Sequence, residues 1–152
     1  MLKWIVLSVV LDRITKELVV ISLMPGESVD FLGGFLRLTH VTNAGAAFGM
    51  LSDHTSFLAA ISLALIGAII WWYARYVPHS ERGLGGVAAG LLIGGATGNL
   101  IDRVLRGYVI DFFDLGFWPV FNVADIAVVV GCGLVFLLVL RNPESIKGGI
   151  SE

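Results

Sequence analysis

Charge is scarce in this chain. Ten Lys and Arg and twelve Asp and Glu make up 14% of 152 residues, against roughly 25% in soluble domains. With a mean hydropathy of +0.88, that shortage excludes an ordinary soluble domain and points to a membrane protein. The formal net charge is −2, so nothing suggests binding to nucleic acid. A single cysteine, Cys132, excludes an internal disulfide framework; among Val and Gly it reads as a small packing residue. His40, His54 and His79 are scattered without metal-ligand spacing, so no metal site is expected. The 19 glycines form no phosphate-binding loop, because those in series sit inside an apolar run. The N-terminal Lys3 and WIVLSVVL resemble a signal peptide, but Asp12, Arg13, Lys16 and Glu17 interrupt the run. No small-residue cleavage site follows, so it is read as part of the fold.

What the chain does have is long apolar segments. Crossing a bilayer takes about 20 apolar residues, and four segments qualify, at about 2–24, 57–77, 83–105 and 121–140. The first is the least apolar. As a helix it gathers Ser8, Asp12, Thr15 and Lys16 on one face. Asp12 with Lys16, and Arg13 with Glu17, are opposite charges four apart, so it can span with that face turned inward. Pro25 and Gly26 end it. The second span has no charge before Arg75. The third repeats glycine every four residues, at Gly86, Gly90, Gly94 and Gly98, a small-residue face that allows close helix contact. The next step of four is Asp102. The predicted architecture is an α-helical integral membrane protein with four transmembrane helices in one domain. A small extracytoplasmic β-rich lobe (about 25–55 plus 106–120) and a short surface helix complete it. In the lobe, VDFLGGFLRLTHVTN has strand character around Leu36, Leu38, His40 and Thr42. A lone strand is unstable, and YVIDFF at 108–113 is the candidate partner. NAGAAFGML follows the strand as the expected surface helix, placed to cover the site. Lys3, Arg75, Arg82, Arg141 and Lys147 would share one side, which by the positive-inside rule is cytoplasmic and holds both termini.

The stretch Asn99–Asp125 concentrates the polar chemistry. It holds Asn99, Asp102, Arg103, Asp111, Asp114, Asn122 and Asp125 between apolar spans, and polar groups in that setting mark a functional site by default. Asn99 with Asp102 or Arg103, and Asn122 with Asp125, are spaced to point into one pocket. Lys16 reaches the same depth, roughly 21 Å along the first span at helical rise. Asp12 has Lys16 as an evident basic neighbour, and Asp102 has Arg103, so both suit a buried ion-pair network. Asp111 and Asp125 have no adjacent cation. Two such carboxylates suggest a dyad in which one is protonated and the other ionised, able to activate water and protonate a leaving amine.

Five motifs in order, DRITK (12–16), NAGAAFG (43–49), GNLIDR (98–103), GYVIDFFD (107–114) and FNVAD (121–125), make the chain resemble the bacterial lipoprotein signal peptidases, signal peptidase II. The resemblance implies an aspartic endopeptidase of the bacterial cytoplasmic membrane, without metal or cofactor and with its active site near the outer face. Its partners would be prolipoproteins lipidated on the cysteine after the cleavage point, and membrane lipids; a monomer is expected. Carried over by motif, Asp111 and Asp125 are catalytic. Asn43, Asn99, Arg103 and Asn122 hold substrate or support the pocket, and Asp12, Lys16 and Asp102 are structural polar residues. Two departures stand out. Arg13 occupies a position that is usually Gln, with Glu17 placed to pair with it, and the link between Asp111 and Asp125 is short.

Two other functions use the same features. A small intramembrane proton or cation transporter would employ the acids as a relay, though the polar groups cluster at one end of the spans and no inverted repeat is visible. An assembly protein would use the glycine face as a dimer interface. Internal contact is the preferred reading of that face, since four spans already offer partners.

Overall fold

A computed structural model describes residues 1–45 and 54–141. Four helices carry the fold: α1 (Leu2–Ser22), α2 (Thr55–Tyr76), α3 (Arg82–Arg106) and α4 (Val123–Arg141). Three strands complete it: β1 (Ser28–Phe31), β2 (Leu36–Asn43) and β3 (Val109–Asp114). The expected surface helix over 43–51 falls largely outside the described residues, and so does the tail after Arg141. Among the described residues three helices are long and apolar enough to cross a membrane: α2, α3 with the short turn before it, and α4. The charges within α1 keep it off that list, yet its outward face suits lipid. Val6, Leu7, Val10, Leu11, Ile14, Leu18 and Ile21 are exposed, while Ser8, Asp12 and Lys16 are buried. Its 21 residues reach about 31 Å at helical rise, enough for the hydrocarbon core. The fold is therefore the four-helix membrane protein the apolar runs predict.

Helix α3 lies at the centre and meets each of the other three helices. Its glycines make that possible. A Cβ built on Gly90 would lie 2.6 Å from Trp4 Cβ, one on Gly94 2.6 Å from Ser8 Cβ, and one on Gly98 2.5 Å from Asp12 Oδ2. The four-step stripe is thus covered by α1, running parallel to α3. Gly95, one position off the stripe, meets the carbonyl of Ala124, and Gly131 returns the contact from α4 against Leu92 and Ala88. Apolar surface gains little by leaving lipid for another helix, so close van der Waals contact is what holds such bundles.

The strands form one antiparallel sheet in the order β1-β2-β3, and β3 supplies the partner expected of YVIDFF. The β1–β2 hairpin is a feature the alternation pattern did not separate. Its turn, LGG, takes positive φ at Leu32, Gly33 and Gly34; the two glycines carry that conformation without a Cβ penalty. Strand alternation sends Ile110 and Phe112 into a core with Val19 of α1, each worth about 1.5–3 kcal/mol when buried. The same alternation turns Val109 and Asp111 to the opposite face. After β3 the chain loops back and Phe121 pairs with Phe113, its N–H donating to the Phe113 carbonyl at 3.1 Å. Helix α4 therefore starts at Val123, two residues later than the apolar run suggests, and its first turn stands beside β3.

Candidate active site

The cleft lies where the end of α3, the start of α4, β2 and β3 meet. It encloses about 220 Å³ and is lined by Asn43, Asn99, Arg103, Asp111, Trp118 and Asp125 among others. Each polar group arrives by a local rule. Asn99 and Arg103 are four apart on α3 and share a face. Gly107, at φ +81°, caps that helix with its N–H on the Arg103 carbonyl, which releases the chain into β3. Asn43 sits opposite Val109 in the β2–β3 register, so its amide is a diagonal neighbour of Asp111.

Asn122 and Asp125 are joined by a capping box at the start of α4. The Asp125 N–H donates to Asn122 Oδ1 at 3.0 Å, and the Asn122 N–H donates to Asp125 Oδ2 at 3.1 Å. This exchange satisfies two otherwise free helix-start donors. Sequence reading placed both residues at the start of the fourth span but missed the cap, although the N-x-x-D spacing is its signature. In the sequence Trp118 reads as an interface aromatic and not as a cleft residue; it lines the cleft while staying largely exposed.

Asp111 is 3% exposed. Asn43 Nδ2 donates to its Oδ2 at 2.9 Å and Asn122 Nδ2 to its Oδ1 at 2.6 Å. Burial pushes its carboxyl up to about 6; the Asn43 and Asn122 bonds oppose that rise and the nearby Asp125 charge adds to it. Asp125 is half-buried, and Asn99 Nδ2 donates to its Oδ1 at 2.8 Å. Among the described residues neither carboxylate has a cation within ion-pair distance, while Arg103 lines the same cleft.

Asp12 and Asp102, by contrast, are ion-paired. Lys16 Nζ lies 2.9 Å from Asp12 Oδ2 and 2.9 Å from Asp102 Oδ2, with all three side chains fully buried. Asp102 also pairs with Arg13, and its Oδ1 lies 3.6 Å from Arg106 Nε. Arg13 reaches Glu17 at 2.9 Å, so the Arg13–Glu17 pairing expected from spacing is present. The expected Asp102–Arg103 pairing is not. Adjacent helix residues point about 100° apart, so Asp102 faces α1 and Arg103 faces the cleft, with Asn99 between them. Asp102 therefore does not share the Asn99 pocket. Its Oδ2 instead accepts the Ile110 N–H at 3.3 Å, and Asp12 Oδ1 accepts the Ala124 N–H at 3.0 Å. The ion cluster thus grips the backbone beside each of the two cleft carboxylates.

The arrangement is that of a membrane enzyme with a paired-carboxylate cleft at one end of its helices. Two solved structures of bacterial membrane enzymes share the fold. One aligns with a TM-score of 0.84 at 32% identity, over 92% of this chain and 87% of that one. The other aligns with 0.81 at 33% identity, over 91% of both. The profile of the Signal peptidase (SPase) II family matches residues 4–141. A lipoprotein signal peptidase of Syntrophomonas wolfei is 46% identical over 88% of either chain. One from Moorella thermoacetica is 44% identical over 80% of this chain and 79% of its own. The chain belongs to the signal peptidase II family, the aspartic peptidases that process lipoproteins. That membership decides for the peptidase over the transport and assembly readings.

Proposed function

We propose that Asp111 and Asp125 are the catalytic pair, cutting a prolipoprotein on the N-terminal side of its diacylglyceryl cysteine. The observation that carries this is the contrast in partners: of the buried acids at this level, these two face the cleft and are held by amides instead of cations. Both hang on Asn122, whose Nδ2 serves Asp111 and whose backbone and Oδ1 serve Asp125. One proton is shared between them, as close carboxylates require. Asp111, the more buried, carries it. Asp125 takes a proton from water as the water oxygen attacks the scissile carbonyl, while Asp111 donates a hydrogen bond to the carbonyl oxygen. Collapse breaks the C–N bond and the leaving cysteine nitrogen receives a proton from the pair. The products are a signal-peptide carboxylate and a free cysteine amine. Arg103 and Asn43 stand at the cleft wall to hold the substrate backbone. Trp118 and an adjoining groove of about 380 Å³, lined by Phe117, Phe121, Ile126 and Val129 with Asp125 at its edge, offer apolar surface for lipid and signal peptide. In the membrane the chain is one monomeric domain with both termini cytoplasmic and the cleft at the outer face.

Mass spectrometry of the products from matched substrates tests the substrate class. A diacylglyceryl prolipoprotein should release one signal peptide ending just before the cysteine, and the unlipidated precursor should stay intact. Equal cleavage of both precursors would remove the lipid from the recognition.

A further inference from the structure

Lys16 does not line the cleft, yet the orientation of a cleft amide depends on it. Its Nζ meets three acceptors, each at 2.9 Å: Asp12 Oδ2, Asp102 Oδ2 and Asn99 Oδ1. An ammonium has three protons and no lone pair, so whatever faces it must be an acceptor. Lys16 thus fixes which way Asn99 points together with Asn122 Nδ2, which donates to the same Oδ1 at 3.1 Å. With Oδ1 on the ammonium, Nδ2 turns to Asp125 Oδ1 at 2.8 Å. Turned over, Asn99 would set its NH₂ against the ammonium and its carbonyl against a carboxylate. At Asn122 the same logic runs within α4, where the Asp125 N–H claims Oδ1 and sends Nδ2 to Asp111. The Asn99 arm differs in receiving a charged donor from α1, 83 residues earlier in the chain.

We infer that Lys16 is a positioning residue for the hydrolysis: it orients Asn99, and Asn99 holds Oδ1 of Asp125 in place to receive the proton of the attacking water. The inference rests on Asp111 and Asp125 being the reacting pair. It assigns Lys16 more than the holding together of α1 and α3, a task Asp12 and Asp102 share with it.

Purified enzyme and a diacylglyceryl prolipoprotein test it. Lys16→Met alone strands the buried Asp12 carboxylate, so it is made together with Asp12→Asn. Asp12→Asn, Asp12→Asn/Lys16→Met, Asp12→Asn/Asn99→Ala and the triple variant are compared for kcat, KM and thermal unfolding. Relative to Asp12→Asn, adding Lys16→Met should lower kcat by about 10- to 100-fold, the scale of a misplaced reacting group, with KM within about twofold. Adding it to Asn99→Ala should change little, because both substitutions remove one arm. Unchanged kcat on removing Lys16, or losses that multiply in the triple variant, would overturn the inference. A second comparison needs no charge-balanced background: Lys16→Gln, which keeps an N–H donor, should retain more kcat than Lys16→Leu, and equal kcat would also overturn it. Failure of the catalytic assignment looks different, since Asp111→Asn or Asp125→Asn would then turn over.

Discussion

One end of the bundle holds two groups of aspartates, fixed by opposite means. Asp12 and Asp102 are fully buried and matched to Lys16, Arg13 and Arg106. Asp111 and Asp125 touch amides and a backbone N–H, and they open onto the cleft. A carboxylate tied to a fixed ammonium has its oxygens engaged by that cation and serves structure. A carboxylate held by neutral donors keeps its position and can still exchange a proton. The two groups are also coupled in space, since Asp102 receives the Ile110 N–H next to Asp111 and Asp12 the Ala124 N–H next to Asp125. The ion cluster is therefore the footing on which the cleft pair stands.

This contrast can be broken from either side. The largest effect should come from Asp111→Asn or Asp125→Asn. Each should lower turnover by about 10³-fold or more, within the range of lost acid–base catalysis, while thermal unfolding in detergent stays near wild type. Asp102→Ala should do the reverse. It leaves Arg13 without its buried partner and Lys16 with Asp12 alone, at about 3–5 kcal/mol, and unfolding scans should show it as the least stable variant. Next, Gly94→Leu forces a side chain against Ser8, an overpacking of about 1–3 kcal/mol, with activity falling only as the fold does. A smaller effect concerns pH. The Asp111 carboxyl, raised by burial to about 6, must be protonated to act as acid, so kcat/KM should be present below that region and fall as pH rises through it. The Asn43 bond lowers this carboxyl, so Asn43→Ala should move the alkaline limb to higher pH; a shift to lower pH would contradict the assigned role. Smallest of all, Arg37→Ala removes a half-exposed pair with Asp114 in the sheet. Such pairs are worth about 0–1 kcal/mol, and cleavage rate should stay within about twofold.

Much of this layout was legible in the residues. Apolar run lengths marked the helices, and the glycine stripe at 86, 90, 94 and 98 marked the face that α1 covers. Opposite charges four apart located the Asp12–Lys16 and Arg13–Glu17 pairs, because helix periodicity alone brings them together. What stayed hidden depends on contacts between elements. Asp102 was matched to Arg103 by adjacency, whereas its partners come from α1 and from Arg106 one turn on. The β1–β2 hairpin hid because VDFLGGFLRLTHVTN reads as one strand stretch, although Gly33 and Gly34 within it, at positive φ, make the turn. The Asn122–Asp125 cap was hidden by an apolar run that seemed to start the helix at Phe121, where the chain is instead paired with Phe113.

The most direct measurement is gel-shift cleavage of a diacylglyceryl prolipoprotein by purified wild type, Asp111→Asn, Asp125→Asn and Asp102→Asn side by side, each checked for folding. The account predicts that wild type cuts, that both cleft variants are folded and inert, and that Asp102→Asn still cuts at a reduced rate or stability. Cleavage by a folded Asp111→Asn or Asp125→Asn enzyme would contradict it and move the acid chemistry to the ion-paired group.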